Sequence, residues 1–170
     1  AVQIRPPQPN CMQNNKIYSS NHLKIFDKII TKKRLEIIDI INDQIILNNI
    51  NDVLDIGTTS DTENISSNFI IKNLKNIKSF NSISNQLITS SFFKKKLQKS
   101  IIENFSENEI ENFKSDLVVS NATIEHVGNH NNQKIMVSNM IKLSKRMVII
   151  STPYRYHPLE FHTKIPFIHW

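Results

Sequence analysis

The sequence predicts an α/β domain in which a mostly parallel sheet is flanked by helices. Short apolar segments, typical of buried strands, alternate along the chain with segments whose apolar residues recur every three or four positions, the spacing of an amphipathic helix. This alternation favours helical crossovers, and such crossovers join parallel strands. The length of 170 residues is enough for one such domain with a core of its own.

The residues before the first strand fall into two parts. Residues 1–11 hold three of the six prolines and differ in composition from the Ile-, Asn- and Lys-rich sequence that follows. We therefore interpret them as a non-native or unstructured leader. Residues 12–50 are predicted to be helical. Because the apolar residues between Asn21 and Asn48 recur at helical spacing, we expect two helices there.

Residues 51–151 carry the alternating pattern. The short apolar segment at residues 53–56 predicts a buried strand, and Gly57 predicts the turn that ends it. The other predicted elements follow in chain order: a helix over residues 65–74, a strand over 77–83, a helical or irregular stretch to Lys99, a weak strand over 100–103, a strand over 116–120, a helix over 131–143 and a strand over 146–151.

Charge and cysteine content narrow the class of protein. The formal net charge is +6, but its densest runs, residues 31–34 and 94–96, are each predicted on a helix or helix end, where a solvated face is favoured over a nucleic-acid surface. Cys11 is the only cysteine, which excludes an internal disulfide or a cysteine-based zinc site and suits a reducing cytoplasm. No apolar stretch approaches the ~20 residues of a membrane helix. We therefore expect an unanchored cytoplasmic protein.

Candidate functional residues follow the predicted strands. They lie in residues 55–61 after the first strand, in residues 120–128 after the 116–120 strand, and in residues 151–153 after the last. In parallel α/β sheets the ligand binds beyond the carboxyl ends of the strands, where the strand order reverses. We expect these segments to meet there.

Two of these segments resemble the motifs of a known family. Residues 53–57 (VLDIG) resemble the first motif of class I S-adenosylmethionine-dependent methyltransferases, and residues 124–127 (IEHV) resemble the segment after strand four in the branch that methylates small molecules, lipids and quinones. Residues 152–163 are similar to a feature of bacterial members associated with surface-polysaccharide genes. The resemblance implies a Rossmann-like fold, S-adenosylmethionine as cofactor, and methyl transfer to a small-molecule or saccharide-linked acceptor.

The resemblance also implies the cofactor contacts. Gly57 would let the backbone approach the cofactor, so Gly57→Val is expected to block binding and leave the fold intact. Asp55 would orient this turn or accept a hydrogen bond from the cofactor's ammonium group, directly or through water. Where the family has further glycines this chain has hydroxyl residues, and where it has an acidic residue after strand two this chain has neutral ones that would bind ribose more weakly. The expected cofactor-binding residues are Asp55, Gly57, Thr58, Thr59, Ser84, Asn85, Asn121 and Ala122.

Glu125 and His126 are the expected catalytic pair. His126, with an ordinary pKa near ~6.5, would take the proton of a hydroxyl or amine acceptor; the alternative is that Glu125 caps a turn and His126 is an ordinary packed or solvated side chain. The expected substrate contacts are Tyr154, Arg155, His157, Glu160 and His162 in the aromatic segment 152–170. We expect no metal there, because Pro158 interrupts any helix and the histidine spacing does not fit one helical turn.

Two alternatives to methyl transfer to a small-molecule or saccharide-linked acceptor remain open from the sequence. The chain could be a degenerate relative that keeps the fold, binds cofactor weakly and serves as an interaction module, or a nucleic acid methyltransferase, which only the basic charge favours. We also expect the final antiparallel strands of a class I domain to be missing, so the chain would be truncated. The exposed edge of the incomplete sheet would then be covered by the aromatic segment, by a second copy of the chain or by the missing residues, and of these we favour association of two or more copies into a homo-oligomer.

Overall fold

A computed structural model describes residues 21–60 and 67–152. Contacts divide the chain into two units, residues 1–37 and residues 38–170. One continuous helix, α1 (Asn21–Leu47), stands where two were expected, so that prediction is wrong. The break in apolar spacing at residues 31–34 does not interrupt the helix, because it contains neither glycine nor proline and lysine and arginine favour helices. No helix in the described ranges is long and apolar enough to cross a membrane.

The sheet lies in the second unit and has five strands in the described residues, all parallel. They are β1 (Asp52–Ile56), β2 (Ser79–Ser84), β3 (Lys95–Gln98), β4 (Ser115–Asn121) and β5 (Ser144–Ser151). Their spatial order is β3-β2-β1-β4-β5, so the direction of strand order reverses between β1 and β4. With the helices α2 (Phe69–Asn73), α3 (Glu107–Phe113) and α4 (His130–Leu143), this confirms the Rossmann-like α/β prediction.

Each face of the sheet is covered by its own apolar cluster. Side chains alternate between the faces of a strand, so Val53 and Leu54 of β1, both fully buried, enter different clusters. Val53 packs in a cluster with residues of α1 and α2, among them Ile41, Ile45 and Ile70. Leu54 packs in the other cluster, which includes Phe113 of α3 and Met136, Met140 and Leu143 of α4. Burial on both faces explains why the central strands read as near-continuous apolar segments.

The middle of the chain differs from the prediction. The third strand is β3 at Lys95–Gln98, whereas residues 100–103 form a turn in which the Glu103 N–H donates to the Ser100 carbonyl at 3.1 Å. Lys95 and Lys96 are exposed on this strand, which lies at one edge of the described sheet, and not on a helix. Exposed lysines protect an edge strand from pairing with another chain, and they remove the apolar signal by which the strand could have been predicted.

Candidate ligand-binding cavity

A cavity of about 540 Å³ opens at the carboxyl ends of β1, β2 and β4, at the point where the strand order reverses. Its volume lies in the range of small-molecule sites. Several expected cofactor-binding residues line it together with the expected base: Asp55, Gly57, Thr59, Ser84, Asn85, Asn121, Ala122 and His126. The structure therefore brings these residues together, although they belong to the ends of three strands and to the loops that follow them.

Gly57 forms the turn after β1 in the left-handed region, with φ of +84°. Its N–H donates to the Ile83 carbonyl at 2.9 Å, which ties the turn to β2. A Cβ atom at this position would collide with the side chain of Thr123, including its Cγ2 atom at 2.7 Å. The glycine is therefore required by the backbone and by the close packing of two loops. This contradicts the expectation that Gly57→Val leaves the fold intact.

Asp55 is the one carboxylate among the described lining residues, and this residue is only 5% exposed. Burial raises the pKa of Asp55 to about 6, although the hydrogen bond from the Thr58 hydroxyl, 2.6 Å from Oδ2, acts in the opposite direction. A carboxylate held where its ionised form is disfavoured costs stability, and such groups concentrate at functional sites.

Thr58, one of the expected cofactor-binding residues, does not line the cavity. It is 2% exposed, and its hydroxyl is used inside the protein, accepting from Ser82 Oγ at 2.8 Å and donating to Asp55. The Thr58 carbonyl accepts from Ser84 Oγ at 2.7 Å, so the Ser84 hydroxyl is also engaged. Of the hydroxyl residues after Gly57, Thr59 does line the cavity, while its N–H donates to Asn68 Oδ1 at 3.0 Å.

The loop after β4 directs the two residues of the expected catalytic pair to different surroundings. His126 lines the cavity, whereas Glu125 does not line it and accepts a hydrogen bond from the Thr152 hydroxyl at 3.2 Å. Just before them, Ala122 has a φ of +52°, which is unfavourable for a residue with a Cβ atom, and its N–H donates to the Ser151 carbonyl at 2.7 Å. The close tie between the ends of β4 and β5 holds this strained backbone at the cavity wall.

The loop after β3 contributes lining residues that the sequence analysis missed. They are Lys99, Ser100, Ile101 and Ile102. Lys99 pairs with Glu109 of α3 at 2.8 Å, and its ammonium lies 4.9 Å from the centre of the Phe105 ring. The capping box in which Ser106 and Glu109 bond each other's backbone N–H is visible in the sequence and could have located α3 and, before it, this loop.

The remaining expected contacts lie outside the described residues. Tyr154, Arg155, His157, Glu160 and His162 all fall in the segment that follows Thr152. In the part of the chain that is described, no group of three or more His, Cys, Asp or Glu side chains is placed to hold a metal ion. Comparison with protein-family models, with curated proteins and with solved structures found no match to this chain.

Proposed function

We propose that the cavity binds S-adenosylmethionine and that the protein transfers a methyl group to a small-molecule or saccharide-linked acceptor. One observation carries this proposal: a buried carboxylate, Asp55, stands beside a left-handed glycine turn at the carboxyl end of β1, where the strand order reverses. Nucleoside cofactors bind at this point of parallel α/β sheets. Among nucleoside cofactors, the methyltransferase-like motifs at residues 53–57 and 124–127 favour S-adenosylmethionine.

The lining offers groups for each part of such a cofactor. Asp55 would accept a hydrogen bond from the ammonium of the amino-acid part, because opposite charges on the carboxylate and the ammonium strengthen such a bond. Asn85, exposed at the end of β2, would bond the ribose hydroxyls. The apolar side chains of Ile83, Ile101 and Ile102 would contact the flat base.

Methyl transfer needs little from the protein beyond alignment. When bound, S-adenosylmethionine supplies a methyl group activated by a positively charged sulfur. The cavity walls would hold the acceptor atom in line with that methyl. His126, at the cavity wall, would receive the proton that a hydroxyl or amine acceptor gives up.

A second candidate is a degenerate relative that binds the cofactor weakly and serves as an interaction module. The buried Thr58 hydroxyl favours it, because this hydroxyl bonds Asp55 and Ser82 and cannot bind the cofactor's carboxylate. The neutral end of β2 favours it as well, since no charged group there strengthens a ribose hydrogen bond. The nucleic acid methyltransferase alternative is favoured only by the net charge of +6.

Calorimetric titration with S-adenosylhomocysteine distinguishes these candidates. Micromolar binding that is lost in Asp55→Ala supports the methyltransferase, absence of binding by the natural protein supports the degenerate relative, and tightening by added RNA supports the nucleic acid enzyme. Asp116→Ala is the matched control, because Asp116 is also a buried carboxylate on a central strand but lies at the amino-terminal part of β4, away from the cavity lining. Equal loss of binding in both variants would refute the assignment to Asp55.

A further inference from the structure

Three buried polar side chains form a chain of hydrogen bonds on one face of the sheet. Asp55 of β1 and Ser82 of β2 are neighbours in the strand register, and Thr58 in the turn after β1 joins them. The Ser82 hydroxyl donates to Thr58 Oγ1 at 2.8 Å, and the Thr58 hydroxyl donates to Asp55 Oδ2 at 2.6 Å. Each hydroxyl has one hydrogen to give, so both donors in the chain are directed toward the carboxylate.

Packing alone gives no reason for this chain. On β1 it lies on the same face as Val53, a member of the apolar cluster that covers this face, and its members Asp55, Thr58 and Ser82 are only 5%, 2% and 1% exposed. Burying polar groups costs free energy even when they are paired, and apolar residues of similar size would fill the same space at lower cost. The arrangement is explained if the Asp55 carboxylate is needed at the cavity and must be held in one orientation.

Building on the proposed function, we propose that Thr58 is a positioning residue for ligand binding: its hydroxyl, itself held by Ser82, fixes the Asp55 carboxylate so that this carboxylate meets the ammonium group of a nucleoside thioether. Thr58 does not line the cavity, so it acts on the ligand only through Asp55. The site would therefore distinguish ligands that carry a free ammonium group from those that lack one.

Thr58→Val removes the hydroxyl and little else. Two hydrogen bonds join the turn to β2, from Gly57 N–H to the Ile83 carbonyl and from Ser84 Oγ to the Thr58 carbonyl. Neither uses the Thr58 side chain. Valine has nearly the same shape as threonine, so the apolar packing is retained. Thr58→Ser keeps the hydroxyl and is the matched control.

The hydrogen bond also affects the pH at which the ligand binds. Burial raises the pKa of Asp55, and the bond from Thr58 opposes that rise. Removing the bond raises the pKa of Asp55 further. As the pH is lowered, the variant therefore loses the ionised carboxylate, and with it ligand binding, at a higher pH than the natural protein. Other titratable groups on the surrounding elements are Lys99 and His126 in the cavity lining and Lys72 on α2. His126→Gln, measured over the same pH range, is the control for these neighbours.

The experiment is calorimetric titration between pH 5 and pH 8.5 with two probes, S-adenosylhomocysteine and 5′-methylthioadenosine, which lacks the ammonium group. We expect Thr58→Val to bind S-adenosylhomocysteine about tenfold more weakly than the natural protein at pH 7 and to lose binding at a higher pH, since a hydrogen bond to a charged group is broken. Thr58→Ser should stay close to the natural protein. All variants should bind 5′-methylthioadenosine equally.

The outcomes separate this inference from the proposed function. Unchanged binding of S-adenosylhomocysteine by Thr58→Val, or an equal loss for both probes, would overturn the positioning role and leave the proposed function standing. No binding of either probe by the natural protein would overturn both. If Thr58→Val does not fold, Ser82→Ala provides the second test, because it removes the group that holds Thr58; the expected result is a weaker effect in the same direction, and no effect would refute the inference.

Discussion

Gly57→Ala should destabilise the fold, because two costs coincide at this position. A left-handed φ of +84° costs an alanine about 1–2 kcal/mol relative to glycine. The new Cβ atom would also press on Thr123, with the Cγ2 atom at 2.7 Å, and relieving such overpacking costs about 1–3 kcal/mol. We therefore expect a loss of about 2–5 kcal/mol of the free energy of unfolding, a large part of the about 5–15 kcal/mol of an ordinary domain.

Gly128→Ala is the matched control, because its backbone cost is similar and its steric contact is milder. Gly128 also has a left-handed φ, +100°, and its Cβ atom would meet the Asn132 amide nitrogen at 3.2 Å, an atom that donates to the Val127 carbonyl at 2.8 Å. Urea unfolding of both variants, followed by circular dichroism, measures the difference. Gly57→Ala combined with Thr123→Ala should recover the steric part and not the backbone part. A loss for Gly57→Ala that is no greater than for Gly128→Ala would refute the steric argument.

Three further predictions concern charged and polar groups. The fold raises the pKa of Asp55 to about 6 and so favours its protonated form; the natural protein therefore loses about 3 kcal/mol of unfolding free energy as the pH rises from about 4 to about 6. Urea unfolding of Asp55→Asn should lack this loss, and parallel pH profiles of the two proteins would contradict it. The ion pair with Lys99, followed by hydrogen bonds from Ser106, lowers the pKa of Glu109 to about 2, so the stability it contributes is present above about pH 4 and is lost as the pH falls toward 2. Glu109→Gln should melt below the natural protein at pH 6 with a gap that closes toward pH 3, and a gap independent of pH would count against this. Asn85→Asp should bind S-adenosylhomocysteine more tightly in calorimetry, because an ionised acceptor makes the stronger hydrogen bond to ribose; weaker or equal binding would mean that Asn85 does not face the ribose.

The elements that the sequence predicts well are those whose burial repeats along the chain. β1, β4, β5 and α4 were each placed within a few residues, because a strand buried on both faces and a helix with one apolar stripe leave a local pattern. β3 and α3 leave a weaker local pattern. The exposed lysines of β3 mask a strand, and α3 buries only Phe113 among its seven residues.

The same contrast holds for the cavity. Asp55, Gly57 and Asn121 could be proposed as neighbours from the sequence, because the carboxyl ends of parallel strands meet at one edge of a sheet. Lys99 could not be proposed as a neighbour of these residues, because it follows β3, and the sequence places that strand at residues 100–103 instead of Lys95–Gln98. Glu125 and His126 are adjacent in sequence, yet the turn directs one to Thr152 and the other to the cavity.

By itself, then, the sequence determined the α/β class, the order of the central elements and the edge of the sheet where a ligand would bind, because these follow from local periodicity and from the geometry of parallel strands. Only the tertiary structure decided what the individual side chains do there. Thr58 has the same residue type whether it faces a ligand or the core, and it became a buried support for Asp55 because Ser82, 24 residues away, lies beside it on the next strand. Gly57 likewise owes its necessity to Thr123 on another loop, since steric contact depends on distance in space and not on spacing along the chain.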